Sequence, residues 1–272
     1  MNNISQGPRF VEAQLATGIR LRYAEQGDSG GSPIIFLHGY TDSWFSFSRV
    51  LPLFETGFYT LALDQRGHGD SEHPSGGYAV GNYAADVLAL MDAKGLERAT
   101  IVGHSMGSFI AQRIAINWPH RVSRLVLIGS ATKARNAGTL EMEHAVERLG
   151  ERIPVEFARE FQESTIYRKL PDDFMEQVVA ESMKLQPRVW REALKGLLEA
   201  DDAARARRIS VPTLILWGDE DTIFSRAEQD ALVSLLPKAV LKIYPETGHA
   251  LHWERPREFV KDLKEFISAG DA

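Results

Sequence analysis

Short apolar runs separated by longer amphipathic stretches recur along this chain. Residues 33–37 (Pro-Ile-Ile-Phe-Leu), 59–63, 99–102, 124–128, 213–217 and 240–243 are too short for helices, and they predict buried strands. Residues 19–26 predict one more, less uniformly apolar. Between them, residues 78–94 set Val80, Ala84, Val87, Leu88 and Met91 on one helical face. Residues 109–117 predict a second helix. Residues 256–267 predict a last one, starting at Pro256, whose fixed φ suits a first helical turn. Strands alternating with helices predict an α/β chain with a mostly parallel sheet covered on both faces.

Between Ser130 and Ile209 the strand pattern stops. Four charged helical stretches follow, at 141–149, 154–163, 171–184 and 189–200, punctuated by Pro154, Pro171 and Pro187. Residues 131–209 therefore predict a helical cap inserted into a core made of residues 1–130 and 210–272. Such an insertion is expected over the carboxyl ends of the strands, where open α/β sheets bind ligands.

Composition narrows the partners. Of 272 residues, 44% are hydrophobic and 25% charged, as in an ordinary globular protein. A net charge of −6 argues against nucleic acid and anionic membrane surfaces. The local run Arg205, Arg207, Arg208 reads as a solvated helix end. No apolar stretch approaches the roughly 18–20 residues that span a bilayer. Met1–Gln6 has neither the basic start nor the apolar centre of a signal peptide, so a cytoplasmic location is the default expectation. The absence of cysteine excludes disulfides, thiolate catalysis and cysteine metal sites.

The chemistry centres on Gly103-His104-Ser105-Met106-Gly107, a G-x-S-x-G between an apolar run and a helical stretch. In a nucleophile elbow the strand turns sharply into the helix and holds the serine in a strained backbone conformation. A serine nucleophile needs a base, an orienting acid and an oxyanion hole. His249, after Gly248 at a strand exit, suits the base. His104 is expected to point away from the hydroxyl into packing, and His252 to pack or line an entrance. The acid comes from Gly218-Asp219-Glu220-Asp221, after the strand that ends at Trp217. The Met106 N–H, at a helix start, is one candidate oxyanion donor. The Tyr40 N–H, in the turn after His38-Gly39, is the other.

In order along the chain, these motifs resemble the α/β-hydrolase superfamily, in its cap-bearing serine esterase, enol-lactonase and non-haem haloperoxidase-like branch. The resemblance rests on His38-Gly39, Asp64 to Ser71 (Asp-Gln-Arg-Gly-His-Gly-Asp-Ser), the serine motif, the Gly218 to Asp221 motif and Gly248-His249. It implies an eight-stranded sheet and a Ser105, Asp221, His249 triad. The family's Gly-x-x-Asp pattern points to Asp221, leaving Asp219 to cap a turn and Glu220 to face solvent. Gly129-Ser130-Ala131 offers no carboxylate at the alternative acid position. The 64–71 stretch is then a structural loop in which Asp64 and Arg66 hold neighbouring turns, despite the metal-like mix of His68, Asp70 and His73. His38 becomes a scaffold residue.

The resemblance implies cofactor-free and metal-free cleavage of a small-molecule ester or lactone through an acyl-enzyme. Serine in place of aspartate at position 105 sets aside haloalkane dehalogenases and epoxide hydrolases. The alternatives are a C–C bond hydrolase of a diketone-type catabolite and a hydrolase-fold receptor or binding protein. Perhydrolysis is a conceivable side reaction. Trp44, Tyr167, Trp190 and Phe224 are candidates to line the substrate pocket, and Phe45, Phe47, Phe161 and Phe174 are open to the same two readings, pocket lining or core packing. Oligomeric state is left open, a homodimer included.

Overall fold

A computed structural model describes residues 7–269; Met1–Gln6 lies outside the described residues. The apolar runs become strands β2 (Arg20–Gly27), β3 (Ser32–Leu37), β4 (Phe58–Leu63), β5 (Ala99–His104), β6 (Val122–Ile128), β7 (Thr213–Gly218) and β8 (Ala239–Tyr244). An eighth, β1 (Arg9–Gln14), has no counterpart in the apolar pattern. It is an edge strand on which only Val11 and Ala13 turn even partly inward. The sheet order is β1-β2-β4-β3-β5-β6-β7-β8. The β1–β2 and β2–β4 pairs are antiparallel, and every pairing from β4–β3 to β7–β8 is parallel.

Alternation along the central strands builds two cores. Ile35, Leu37, Ile101, Leu125, Leu127 and Ile215 face one layer, with helices α1 (Val80–Ala93) and α2 (Met106–Asn117). Ile34, Phe36, Val102, Val126, Ile128, Leu214 and Leu216 face the other. With both faces covered, these strands read as continuous apolar runs rather than as alternating ones. Between β6 and β7 come α3 (Ala137–Arg148), α4 (Val155–Glu163), α5 (Asp172–Met183) and α6 (Pro187–Leu198). In this segment α3 packs on α6 and α4 on α5. After β7 come α7 (Arg226–Leu235), α8 (Leu251–Glu254) and α9 (Pro256–Ser268), whose Phe259, Leu263 and Ile267 fill the second core. A third apolar cluster joins Phe174, Met175 and Val178 of α5 to Ala250 and Trp253. No helix among the described residues is long and apolar enough to cross a membrane.

Candidate active site

Ser105 is the single residue between β5 and α2, at φ 49° and ψ −119°. A left-handed φ at a non-glycine residue costs on the order of 1–3 kcal/mol, so the surrounding packing must enforce it. The enforcement is steric. A Cβ on Gly103 would come 2.3 Å from the Gly107 carbonyl oxygen, and one on Gly107 would come 2.2 Å from that of Leu37. The Ser105 N–H is fixed by a 2.9 Å bond to the Ile128 carbonyl of β6. The hydroxyl-bearing residue stays partly accessible while its neighbours on both sides are buried.

The loops after β7 and β8 bring Asp221 and His249 together. His249 Nδ1 lies 2.8 Å from Asp221 Oδ2, and both side chains are buried. The other oxygen, Asp221 Oδ1, accepts the Ile223 and Phe224 N–H groups at 2.8 and 3.1 Å. The carboxylate is therefore held on both sides and orients the ring. His249 Nε2 is buried and makes no hydrogen bond within the protein. Asp219 and Glu220, the competing carboxylates, are exposed.

After β3 the backbone turns at Gly39-Tyr40, and Thr41 adopts φ 63°. His38 Nδ1 sits 2.8 Å from the Gly39 carbonyl oxygen, while its Nε2 accepts the Gln65 N–H at 3.1 Å. That acceptor role leaves the proton on Nδ1 to donate. Burial lowers the His38 pKa well below its ordinary value, so the ring stays neutral. With the Gly39 carbonyl pinned, the N–H of Tyr40, across the same trans peptide, points the opposite way. The Tyr40 ring is anchored separately: its hydroxyl donates to the Trp190 carbonyl of α6 at 2.6 Å.

These elements enclose a narrow cleft, far tighter than the ligand pockets usual in proteins. Gly39, Tyr40, Ser105 and His249 line it, with Asp42, His104, Phe161, Gln162, Thr165, Ile223 and Trp253. None of the four aromatic candidates lines it. Trp44 packs edge-on against Phe10 and Phe45, outside the cleft. Tyr167 is 53% exposed; its N–H and that of Arg168 donate to the Glu254 carboxylate. Trp190 is fully buried behind Tyr40 and Phe161. Phe224 backs onto the His249 ring, leaving its neighbour Ile223 to face the cleft.

His104 does pack, 4.6 Å from the His252 ring and 4.9 Å from that of His249, yet it also lines the cleft. His252 is bonded to Ser46 Oγ at 3.0 Å and stacks near Phe47. In the 64–71 loop, Asp64 accepts the Trp44 and Asp70 N–H groups, and Arg66 grips Asp86 through two bonds of 2.6 and 2.7 Å. His68 Nδ1 bonds the Arg66 carbonyl, and Asp70 pairs with Arg22 and Lys184.

Asp42, Gln162 and Thr165 escaped the sequence reading. Gln162 could have been suspected: it lies four residues after Ala158 on the buried face of α4. Asp42 could have been too, as an acidic residue two positions beyond the candidate oxyanion turn.

A strained serine elbow sharing one cleft with a histidine that is bonded to a buried carboxylate, at the strand ends of such a sheet, is the arrangement of the α/β-hydrolase class. The family model described as alpha/beta hydrolase fold matches residues 32–256, and the chain belongs to that family. It is 29% identical to a non-heme haloperoxidase of Rhodococcus erythropolis, over 96% of this chain and 99% of the relative. It is 26% identical to 3-oxoadipate enol-lactonase 2 of Acinetobacter baylyi, over 92% and 94%. Among solved structures, an esterase from Rhodococcus sp. ECU1013 superposes with a TM-score of 0.83 at 25% identity, covering 96% of this chain and 98% of that one.

Proposed function

We propose that the protein is a carboxylic ester hydrolase that cleaves a small-molecule ester or lactone through an acyl-enzyme on Ser105. The observation that carries this reading is the convergence on one cleft of a partly accessible elbow serine and a histidine whose far nitrogen is bonded to a buried carboxylate. Relatives named as an esterase and an enol-lactonase support it.

His249 Nε2 takes the Ser105 proton as Oγ attacks the carbonyl carbon. Asp221 holds the Nδ1–H tautomer and stabilises the imidazolium. The carbonyl oxygen becomes an oxyanion received by the N–H groups of Tyr40 and Met106, neither of which is bonded elsewhere among the described residues. The C–O bond breaks and the alcohol leaves with the proton from His249. Water, deprotonated by the same nitrogen, attacks the acyl-enzyme, and Ser105 recovers its proton as the acid departs. Residues 131–209 act as the cap: Phe161, Gln162 and Thr165 bound the cleft from that side.

The test is burst kinetics with p-nitrophenyl acetate and labelling by a fluorophosphonate. Stoichiometric label on Ser105, and a loss of at least ~10³-fold in kcat for Ser105→Ala with an unchanged melting temperature, are expected. A chain that turns over no ester and takes no label is not this enzyme.

A further inference from the structure

The cleft is more polar than an alkyl ester needs. Its wall beyond Ser105 carries Asp42, 4% exposed, and His104, 2% exposed. Asp42 Oδ1 accepts from Gln162 Nε2 at 3.0 Å, and Oδ2 from Ser46 Oγ at 3.3 Å. A carboxylate has about four acceptor sites, so capacity remains. His104 Nδ1 lies 3.8 Å from Asp42 Oδ2, beyond hydrogen-bond length, and neither nitrogen of His104 has a hydrogen-bond partner within the protein. Buried polar atoms rarely stay unpaired without a reason. Burial lowers the His104 pKa against the opposing pull of the Asp42 carboxylate, which favours the neutral ring with its one donor and one acceptor nitrogen. Only glycine fits against the pair: a Cβ on Gly39 would sit 2.8 Å from His104 Nδ1 and 3.1 Å from Asp42 Oδ2.

We infer that Asp42 and His104 form a subsite for a hydroxyl group of the substrate, so that the preferred ester or lactone is a small hydroxylated one. A single oxygen at ordinary bonding distance from both atoms spans the 3.8 Å gap, donating to Asp42 and exchanging a second bond with His104. Gln162, reaching from α4 to Asp42, Thr41 and Ser182, holds the carboxylate in place. The inference rests on the ester-hydrolase reading and adds the substrate class. A site with buried polar groups discriminates strongly, because the analogue lacking the hydroxyl leaves them unpaired.

The experiment compares kcat/KM, by pH-stat, for pairs in which methyl replaces hydroxyl. The pairs are methyl lactate with methyl isobutyrate, methyl 3-hydroxybutanoate with methyl 3-methylbutanoate, and ethylene glycol monoacetate with propyl acetate. At least one pair is expected to favour the hydroxylated member by ~10-fold or more. Asp42→Asn is expected to shrink that ratio toward one. Should Asp42→Asn fail to fold, His104→Gln is read for the same ratio. Ratios near one throughout in the wild type overturn the subsite, as does a variant that slows both members of a pair equally. Preference for an ammonium-bearing ester, β-alanine methyl ester, over its hydroxylated counterpart also overturns the hydroxyl assignment. Methyl acetate, which carries no such group, separates the two readings. If it is hydrolysed while the ratios stay near one, only the subsite falls. If it is untouched and Ser105 takes no phosphonate, the hydrolase reading falls and the subsite with it.

Discussion

At the scale of single residues, the sharpest choice lies among three carboxylates within three positions. Asp221 meets His249 and accepts two backbone N–H groups, while Asp219 is exposed. Asp221→Asn is expected to lower kcat by about 10³–10⁴-fold, because an amide favours the wrong imidazole tautomer. Asp219→Asn should stay within a few-fold. Steady-state rates on one ester decide it, and equal losses at both positions would reassign the acid. That Ser105, His249 and the carboxylates of 219–221 gather at one end of the sheet was legible because each follows an apolar strand, and strand ends of a parallel sheet converge; the choice of Asp221 among them came from the resemblance to the family's Gly-x-x-Asp pattern. Of the pocket aromatics, Phe161 lines the cleft, whereas Trp44, Tyr167, Trp190 and Phe224 do not. An aromatic letter, whether on a helix like Trp190 or in a strand-end loop like Phe224, does not say which of two adjoining spaces its ring fills. Trp190 went behind Tyr40, and Phe224 behind His249. Asp42 was hidden for the opposite reason: a lone acidic residue in a loop carries the same letter whether it is solvated or walled in.

At the scale of elements, the four inserted helices match the charged stretches to within a few residues at their ends. β1 was missed because an edge strand with one wet face and few inward side chains has no apolar signature. α7 was missed although its start is written in the sequence: Ser225 caps it and Glu228 reaches back, a Ser-x-x-Glu box. The join between segments is tighter than spacing could suggest. The Glu254 carboxylate accepts the N–H groups of Gly248, Tyr167 and Arg168 at 2.8, 3.1 and 2.9 Å. The Ala250 N–H donates to the Thr165 carbonyl at 2.9 Å. The loop carrying His249 is thereby bonded to the end of α4. Glu254→Ala leaves three donors without their acceptor and is expected to cost about 1–3 kcal/mol, read by urea denaturation. It should lower kcat in the same protein, because Gly248 adjoins His249. Stability loss with full turnover would show that the bond serves folding alone.

For the molecule as a whole, four histidines are buried with lowered pKa values, chiefly by desolvation: His38, His68, His104 and His252. In the unfolded chain such rings take up protons near pH 6.5; in the folded chain His68 waits until about 4. Between those values the unfolded state binds more protons, so stability falls as pH falls. His68 alone accounts for on the order of 2 kcal/mol at pH 5. Asp64 acts the other way. Burial raises it to about 6, so the folded state binds the extra proton below that pH and gains from acid. Four rings against one carboxyl predict net destabilisation. The melting temperature is expected to drop from pH 7.5 to pH 5, and a flat or rising profile would contradict it.

Tyr40 occupies two structures at once. Its backbone N–H faces the reacting oxygen in the proposed mechanism, and its hydroxyl is tied to the Trp190 carbonyl on α6. Selectivity and turnover thus share a mechanical linkage. Exchanging the inserted helices for those of a relative would retune both together, unless the graft preserves a carbonyl where that phenol hydroxyl ends. Attempts to redesign the chain for a new substrate should therefore begin by keeping residue 190's backbone where it is, and varying only what projects from its neighbours.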